Sequence, residues 1–172
     1  MADIQLIGSS PATLNFAQLA NYIELERVQA VASGTLKYLK VKSGASCKIK
    51  AAIYADSSGS PGALLAASTE QSLTGSIPLV ENTVTMPDLA IVSGTYYWIG
   101  HIVDTANGTY GNYESGTSKY KSQTYSGFSF PNPAGTGYSS ETATWSLVGW
   151  GEESSGGPVI PLFMNQYRQR WK

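Results

Sequence analysis

The feature that most constrains this chain is a period-two alternation of apolar and polar residues in short runs, with Gly, Ser, Thr, Asn and Pro scattered between them along the whole length. Successive side chains of an extended backbone point to opposite faces, so each run reads as a strand with one buried side, and the set reads as an antiparallel β-sandwich or barrel. Cys47, Ile49, Ala51 and Ile53 alternate with Lys48, Lys50, Ala52 and Tyr54. Leu39 and Val41 against Lys40 and Lys42 predict a second strand, and 84–86, 89–92 and 142–148 predict three more. The run 96–103 is apolar on both sides, with Tyr97, Ile99 and Val103 on one and Tyr96, Trp98 and Ile102 on the other. That pattern places it at the centre of a sheet or under a partner. Residues 13–31 are ambiguous: Leu14, Ala17, Ala20 and Ile23 fit a helical stripe, whereas Ile23, Leu25 and Arg27 alternate with Glu24, Glu26 and Val28. A strand over 22–30 is preferred. No repeat of solenoid or propeller length is present.

Composition narrows the function. Asp, Glu, Lys and Arg make up 13% of the 172 residues, against about 25% in ordinary soluble domains. The net charge of -1 gives no pull toward nucleic acid. No run approaches the roughly 18 apolar residues of a membrane span, so membrane insertion is not expected. One cysteine and one histidine exclude an intramolecular disulfide, a Cys-rich zinc site, an HExxH motif and a Cys-His dyad. The expectation is a non-enzymatic protein without a cofactor. Met1-Ala2-Asp3-Ile4-Gln5 lacks the basic and apolar regions of a secretory signal, which predicts a protein made in a cytoplasm.

Charge is also segregated. Residues 51–118 hold Asp56, Glu70, Glu81, Asp88, Asp104 and Glu114 but no Lys or Arg, whereas lysines cluster in 37–50. One reading is a lysine-decorated solvent face on two adjacent strands; the other is complementary surfaces that pair between subunits.

Individual residues offer little chemistry. His101, inside the aromatic run, reads as a satisfied core or interface histidine, and Cys47 as a buried, inert thiol. Asp56, Asp104, Asn107 and Asn112 are loop oxygens of a kind that binds Ca²⁺, but they lack the D-x-[DN]-x-[DN]-G spacing and are explained by Asx-turns. Asn107-Gly108-Thr109 reads as a turn rather than a glycosylation site. Tyr110, Tyr113, Tyr120, Tyr125 and Tyr138 lie among Gly, Ser and Thr, a composition suited to stacking on glycans. The same enrichment marks protein interfaces, and the interface reading is weighted above glycan binding.

The most distinctive stretch is Ile53-Tyr54-Ala55-Asp56-Ser57-Ser58-Gly59-Ser60-Pro61-Gly62-Ala63-Leu64-Leu65, a strand, a glycine-containing turn and a return to the core. It is followed by Val92-Ser93-Gly94-Thr95-Tyr96-Tyr97-Trp98-Ile99 and preceded by Ala32-Ser33-Gly34-Thr35-Leu36. In this order the segments resemble a family of jelly-roll-like β-sandwich modules that recur in bacteriophage structural proteins and as appended modules of bacterial surface or secreted proteins. Residues 128–133 and Trp145-Ser146-Leu147 are similar to that family's closing segments. The resemblance covers residues 20–151. It implies a fold, and no catalytic set carries over from it.

The expected organisation is therefore an N-terminal lead (1–19), a β-sandwich (20–151) and an extended C-terminal arm (152–172). Within it Gly156-Gly157-Pro158 opens an apolar extension with a basic end. Left bare in water it would be an aggregation hazard. Val159, Ile160, Leu162, Phe163, Met164, Tyr167, Arg168, Arg170 and Trp171 are its candidate assembly contacts, either as a last strand of the same sandwich or docked on a neighbour. The functional expectation is a structural protein of a multi-subunit assembly, most concretely a phage capsid decoration or tail-associated protein located in the virion. Its partners would be copies of itself or a capsid or tail protein. The alternatives are a carbohydrate-binding adhesion module and a subunit of an extracellular fibre.

Overall fold

The structure, a computed structural model, describes residues 3–113 and 115–154. Among these residues the protein is all-β, with antiparallel sheets and no helix. Its principal strands are β1 (Asp3–Ser9), β3 (Tyr22–Gln29), β4 (Gly34–Ser43), β5 (Cys47–Ser57), β6 (Ser60–Ala67), β8 (Val80–Ile91), β9 (Tyr96–Val103) and β14 (Leu147–Glu153). Shorter strands are β2 (Phe16–Ala17), β7 (Gln71–Leu73), β10 (Tyr110–Asn112), β11 (Ser118–Ser122), β12 (Ser139–Glu141) and β13 (Thr144–Trp145). One sheet runs β1-β14-β4-β8; the other runs β12-β11-β3-β9-β5-β6, with β7 also on β5. Removing the short strands leaves two four-stranded sheets, β1-β14-β4-β8 and β3-β9-β5-β6, with connections that pass from sheet to sheet. This is the eight-stranded jelly roll.

The strand predicted over 22–30 is β3, and 96–103 is β9, hydrogen-bonded between β3 and β5 as its two apolar faces demand. The separate runs at 84–86 and 89–92 merge into the single strand β8. Pro87 does not break β8, because it lies on the edge of its sheet and needs no second ladder bond. Pro61 on β6 is an edge residue for the same reason. The run 142–148 divides instead between β13 and β14.

The stretch set apart as a lead contains the first strand of the jelly roll. Residues 3–9 pair with β14, and Leu6 and Ile7 are fully buried. At the other end, Glu152 and Glu153 continue β14 alongside β4. The proposed arm contacts Val159, Ile160, Leu162, Phe163, Met164, Tyr167, Arg168, Arg170 and Trp171 lie outside the described residues.

Two apolar clusters hold the fold. Between the sheets, Leu36, Leu39, Val41 and Val84 meet Ile49, Ile53, Ile99 and Val103. On the far side of the larger sheet, Ile23, Leu25, Ala52, Tyr54, Trp98 and Ile102 are covered by Tyr125, Phe128, Phe130, Ala134 and Tyr138 from the chain's own 125–138 segment. The second apolar face of β9 is thus closed within the same molecule. Hydrogen bonds pin the cover: Lys50 Nζ donates to Phe128 O (2.8 Å), Tyr54 Oη to Pro131 O (3.1 Å) and Ala134 N to Gly62 O (3.0 Å).

The stretch 53–65 is the β5–β6 hairpin. Ser58 and Gly59 both take positive φ (52° and 81°), the conformation a two-residue primed turn requires. Beyond it Ala66 is buried, whereas Leu65 is 40% exposed, so only Leu64 of the two leucines packs on a core cluster.

Candidate functional site

Asp56 is a structural anchor. It accepts bonds from Arg27 Nε (2.8 Å), Arg27 Nη2 (3.1 Å), Trp98 Nε1 (2.8 Å) and Gly59 N (3.1 Å). The Arg27 hydrogen bond leads the effects that hold its carboxyl down at about 2. Asp104 accepts from Lys48 N and Thr105 Oγ1, and Asn112 Nδ2 donates to Thr13 O. Asn107 sits in a turn at φ 62°. Among the described residues no group of three or more His, Cys, Asp or Glu converges in a way that would hold a metal ion.

The segregated charges meet within the chain. Lys37 pairs with Asp88 (2.7 Å), Lys40 with Glu81 (3.1 Å) and Lys48 with Glu70 (2.8 Å), joining the lysine-rich 37–50 region to the cation-free region after it. The lysines do not share one face of two adjacent strands, because β4 and β5 belong to different sheets.

Burial sets the chemistry of Cys47 and His101. It pushes the Cys47 thiol up to about 11, which leaves little thiolate at neutral pH. His101 is fully buried, and desolvation holds its ring down at about 3, hence neutral. Thr109 Oγ1 donates to Gln18 Oε1 (2.6 Å), so at 2.9 Å it accepts from His101 Nε2–H. Gln18 Nε2 then donates to Tyr22 O (2.7 Å). This chain of bonds runs from the core to the floor of a cleft.

The cleft forms where the larger sheet extends past the smaller one. The β3–β9 register pairs Glu24 with His101 and Glu26 with Ile99, so the glutamates share the inner face, while Ile23 and Leu25 face the 125–138 cover. The register of β11 and β12 adds Tyr120, Ser118 and Glu141 to that inner face. A three-stranded patch, β13-β10-β2, covers part of it. Trp145 N donates to Glu26 Oε2 (2.9 Å), and the Trp145 ring meets His101 and Phe16 edge-on (4.9 and 4.7 Å). The patch is tight: a side chain at Gly111 would come within 2.8 Å of Thr144 O.

What the patch leaves open is a cleft of about 230 Å³. It is lined by Phe16, Gln18 and Leu19 with Tyr113, by Tyr22 and Glu24 of β3, and by Tyr120 and Glu141 of β11 and β12. Phe16 and Tyr113 stack at 3.5 Å; Tyr22 and Tyr120 stand 6.3 Å apart, tilted by 42°. Burial, reinforced by the adjacent Glu141 carboxylate, pushes the Glu24 carboxyl up to about 10. The Glu24 carboxyl shares a side-chain hydrogen bond with Glu141, and its buried Oε2 meets no donor among the described residues. Burial also raises Glu26, to about 8.

Of the five tyrosines singled out from sequence, this cleft brings together Tyr113 and Tyr120. Tyr110 lies in β10 with its ring beneath Gly44. Tyr125 is buried in the outer cluster under Lys50, and Tyr138 packs on that cluster under Lys121, its hydroxyl bonded to Ala134 O. The buried Tyr125 ring offers no platform for a ligand. Sequence reasoning missed Phe16, Gln18, Tyr22, Glu24 and Glu141 as cleft residues. For Glu24 the available signal was a charged residue alternating with Ile23 and Leu25, which reads as solvent-facing until the covering patch is known. Comparison with protein-family models, curated proteins and solved structures gives no match to this chain.

Proposed function

We propose that this chain is a non-enzymatic structural component of a multi-subunit assembly, most concretely a phage capsid decoration or tail-associated protein. The observation that carries the reading is the commitment of the lone histidine, the lone cysteine and Asp56 to the scaffold. His101 is sealed in the core, Cys47 is buried, and Asp56 is saturated by Arg27, Trp98 and Gly59. What remains is a rigid jelly roll, a fold common in capsid and lectin domains. Light scattering and electron microscopy of the full chain, beside a chain ending at Ser155, test the reading. A closed oligomer or regular particle that needs the residues after 155 is expected, and a monomer in both cases would overturn it.

The cleft favours a second reading, a carbohydrate-binding module. Aromatic rings beside carboxyl groups on a rigid sheet are the elements of a small-ligand site. An array of glycans probed with folded protein tests it, and an array without hits removes it.

A further inference from the structure

We infer that the cleft at the edge of the larger sheet is a site for an organic cation, an alkylammonium group held between tyrosine rings and the Glu24 and Glu141 carboxyls. The inference rests on the second reading and narrows its ligand class to saccharides that carry an amine or a quaternary ammonium.

Three observations carry it. The first is the rings: the tilted Tyr22 and Tyr120 pair and the stacked Phe16 and Tyr113 pair border one space, and aromatic faces attract cations. The second is charge: two carboxyl groups line the cleft, while none of its described lining residues is basic. Lys119 and Lys121, on the β11 strand that supplies Tyr120, turn to the opposite face, over Trp98 and Tyr138. The third is unused acceptor capacity. Both ends of the Gln18 amide are occupied, by Thr109 and by the Tyr22 carbonyl, whereas Glu24 is 94% buried and, beyond the hydrogen bond its carboxyl shares with Glu141, its Oε2 meets no donor among the described residues. A buried carboxyl held beside a second one is stabilised in its charged form by a neighbouring cation, and by neither an anion nor an apolar group.

The groups that face Glu24 are Glu141 from β12, Tyr120 from β11, His101 from β9, and Tyr22 and Tyr113. His101 is neutral and supplies no positive charge. In the free protein Glu24 is therefore protonated at neutral pH. Entry of the cation displaces that proton to solvent, leaving a carboxylate paired with the ammonium, so binding tightens as pH rises.

Calorimetry on the full chain tests this with choline, its uncharged isostere 3,3-dimethyl-1-butanol, a glucosamine oligomer and the same oligomer N-acetylated. Choline is expected to bind at least about tenfold tighter than the isostere, with proton release seen as a dependence of heat on buffer. Glu24→Gln, which mimics the protonated carboxyl and keeps the fold, should weaken choline about tenfold and abolish proton release. Glu141→Gln is the second variant, with the same direction expected. Binding of choline alone supports the cation site and removes the carbohydrate reading; binding of choline and the glucosamine oligomer supports both. Equal binding of the two oligomers, with choline no tighter than its isostere, overturns the cation site and leaves the carbohydrate reading standing. Equal binding of choline and its isostere, or no binding by any probe, overturns the inference.

Discussion

The inner face of the larger sheet has two halves that share a backbone and differ in what lies above them. Over β5 and β9 the smaller sheet covers it, and the residues beneath are Ile49, Ile53, Ile99 and Val103, all fully buried. Over β11, β12 and the 22–26 part of β3 lies the β13-β10-β2 patch, and the same face there carries Tyr22, Glu24, Glu26, Tyr120 and Glu141. Complete cover demands apolar side chains, because every polar atom there would need a partner from the opposite sheet. Partial cover tolerates carboxyls, provided they stay protonated or find a donor. Glu26 finds the Trp145 amide, and Glu24 keeps its proton.

The sharpest way to break this contrast is to damage the covered half. Ile99→Ala leaves a cavity between the sheets and should cost about 2–5 kcal/mol, read as a lower denaturant midpoint. The polar half should respond to pH instead. A carboxyl whose folded value lies above its unfolded one makes the native state bind more protons. Stability is therefore complete below about pH 4.5 and falls as pH rises toward about 8 for Glu26 and about 10 for Glu24. Glu24→Gln removes its share of that slope, and at pH about 8 the variant should exceed the parent by about 1–3 kcal/mol, with the gain gone by about pH 4. A gain that persists in acid would show that packing, not protonation, sets the effect.

On the opposite face of the same sheet, Asp56→Ala strips the partner from Trp98 Nε1 and Arg27 and should cost about 1–2 kcal/mol by urea titration. Because Arg27 holds the Asp56 carboxyl at about 2, the native pair's contribution is present above the ordinary carboxylate range and lost as pH falls from about 4 toward 2. The parent should lose stability across that window, and Asp56→Asn should flatten the loss. The smallest effect belongs to the solvent-exposed pairs. Lys40→Ala breaks the contact with Glu81 and should move stability by less than about 0.5 kcal/mol, diminishing further in salt.

Much of the fold was legible because period-two alternation and turn residues are local. The strands β3, β5 and β9, the β5–β6 hairpin with its Ser58-Gly59 turn, and the core role of Cys47 all follow from residues a few positions apart. Strand β1 escaped, because a short run ending in Gly8-Ser9-Ser10-Pro11 resembles a lead until β14, more than 130 residues away, pairs with it. The cleft was half legible. Tyr113 and Tyr120 stood out by composition, but Phe16, Glu24 and Glu141 come from three separate strands: the registers of β3 with β11 and β11 with β12 bring the glutamates together, and the pairing of β2 with β10 sets Phe16 beside them.

By itself, then, the sequence determined that this protein is an antiparallel β-sandwich, where its best strands run, and that its lone cysteine is buried, because alternation and aromatic density are written along the chain. The tertiary structure decided which side of each strand is interior. Alternation divides Glu24 from Leu25 but cannot say that both are buried; that depends on the β10–β13 patch over one face and the 125–138 segment over the other. Burial belongs to what is stacked above a strand, and those neighbours are distant in sequence.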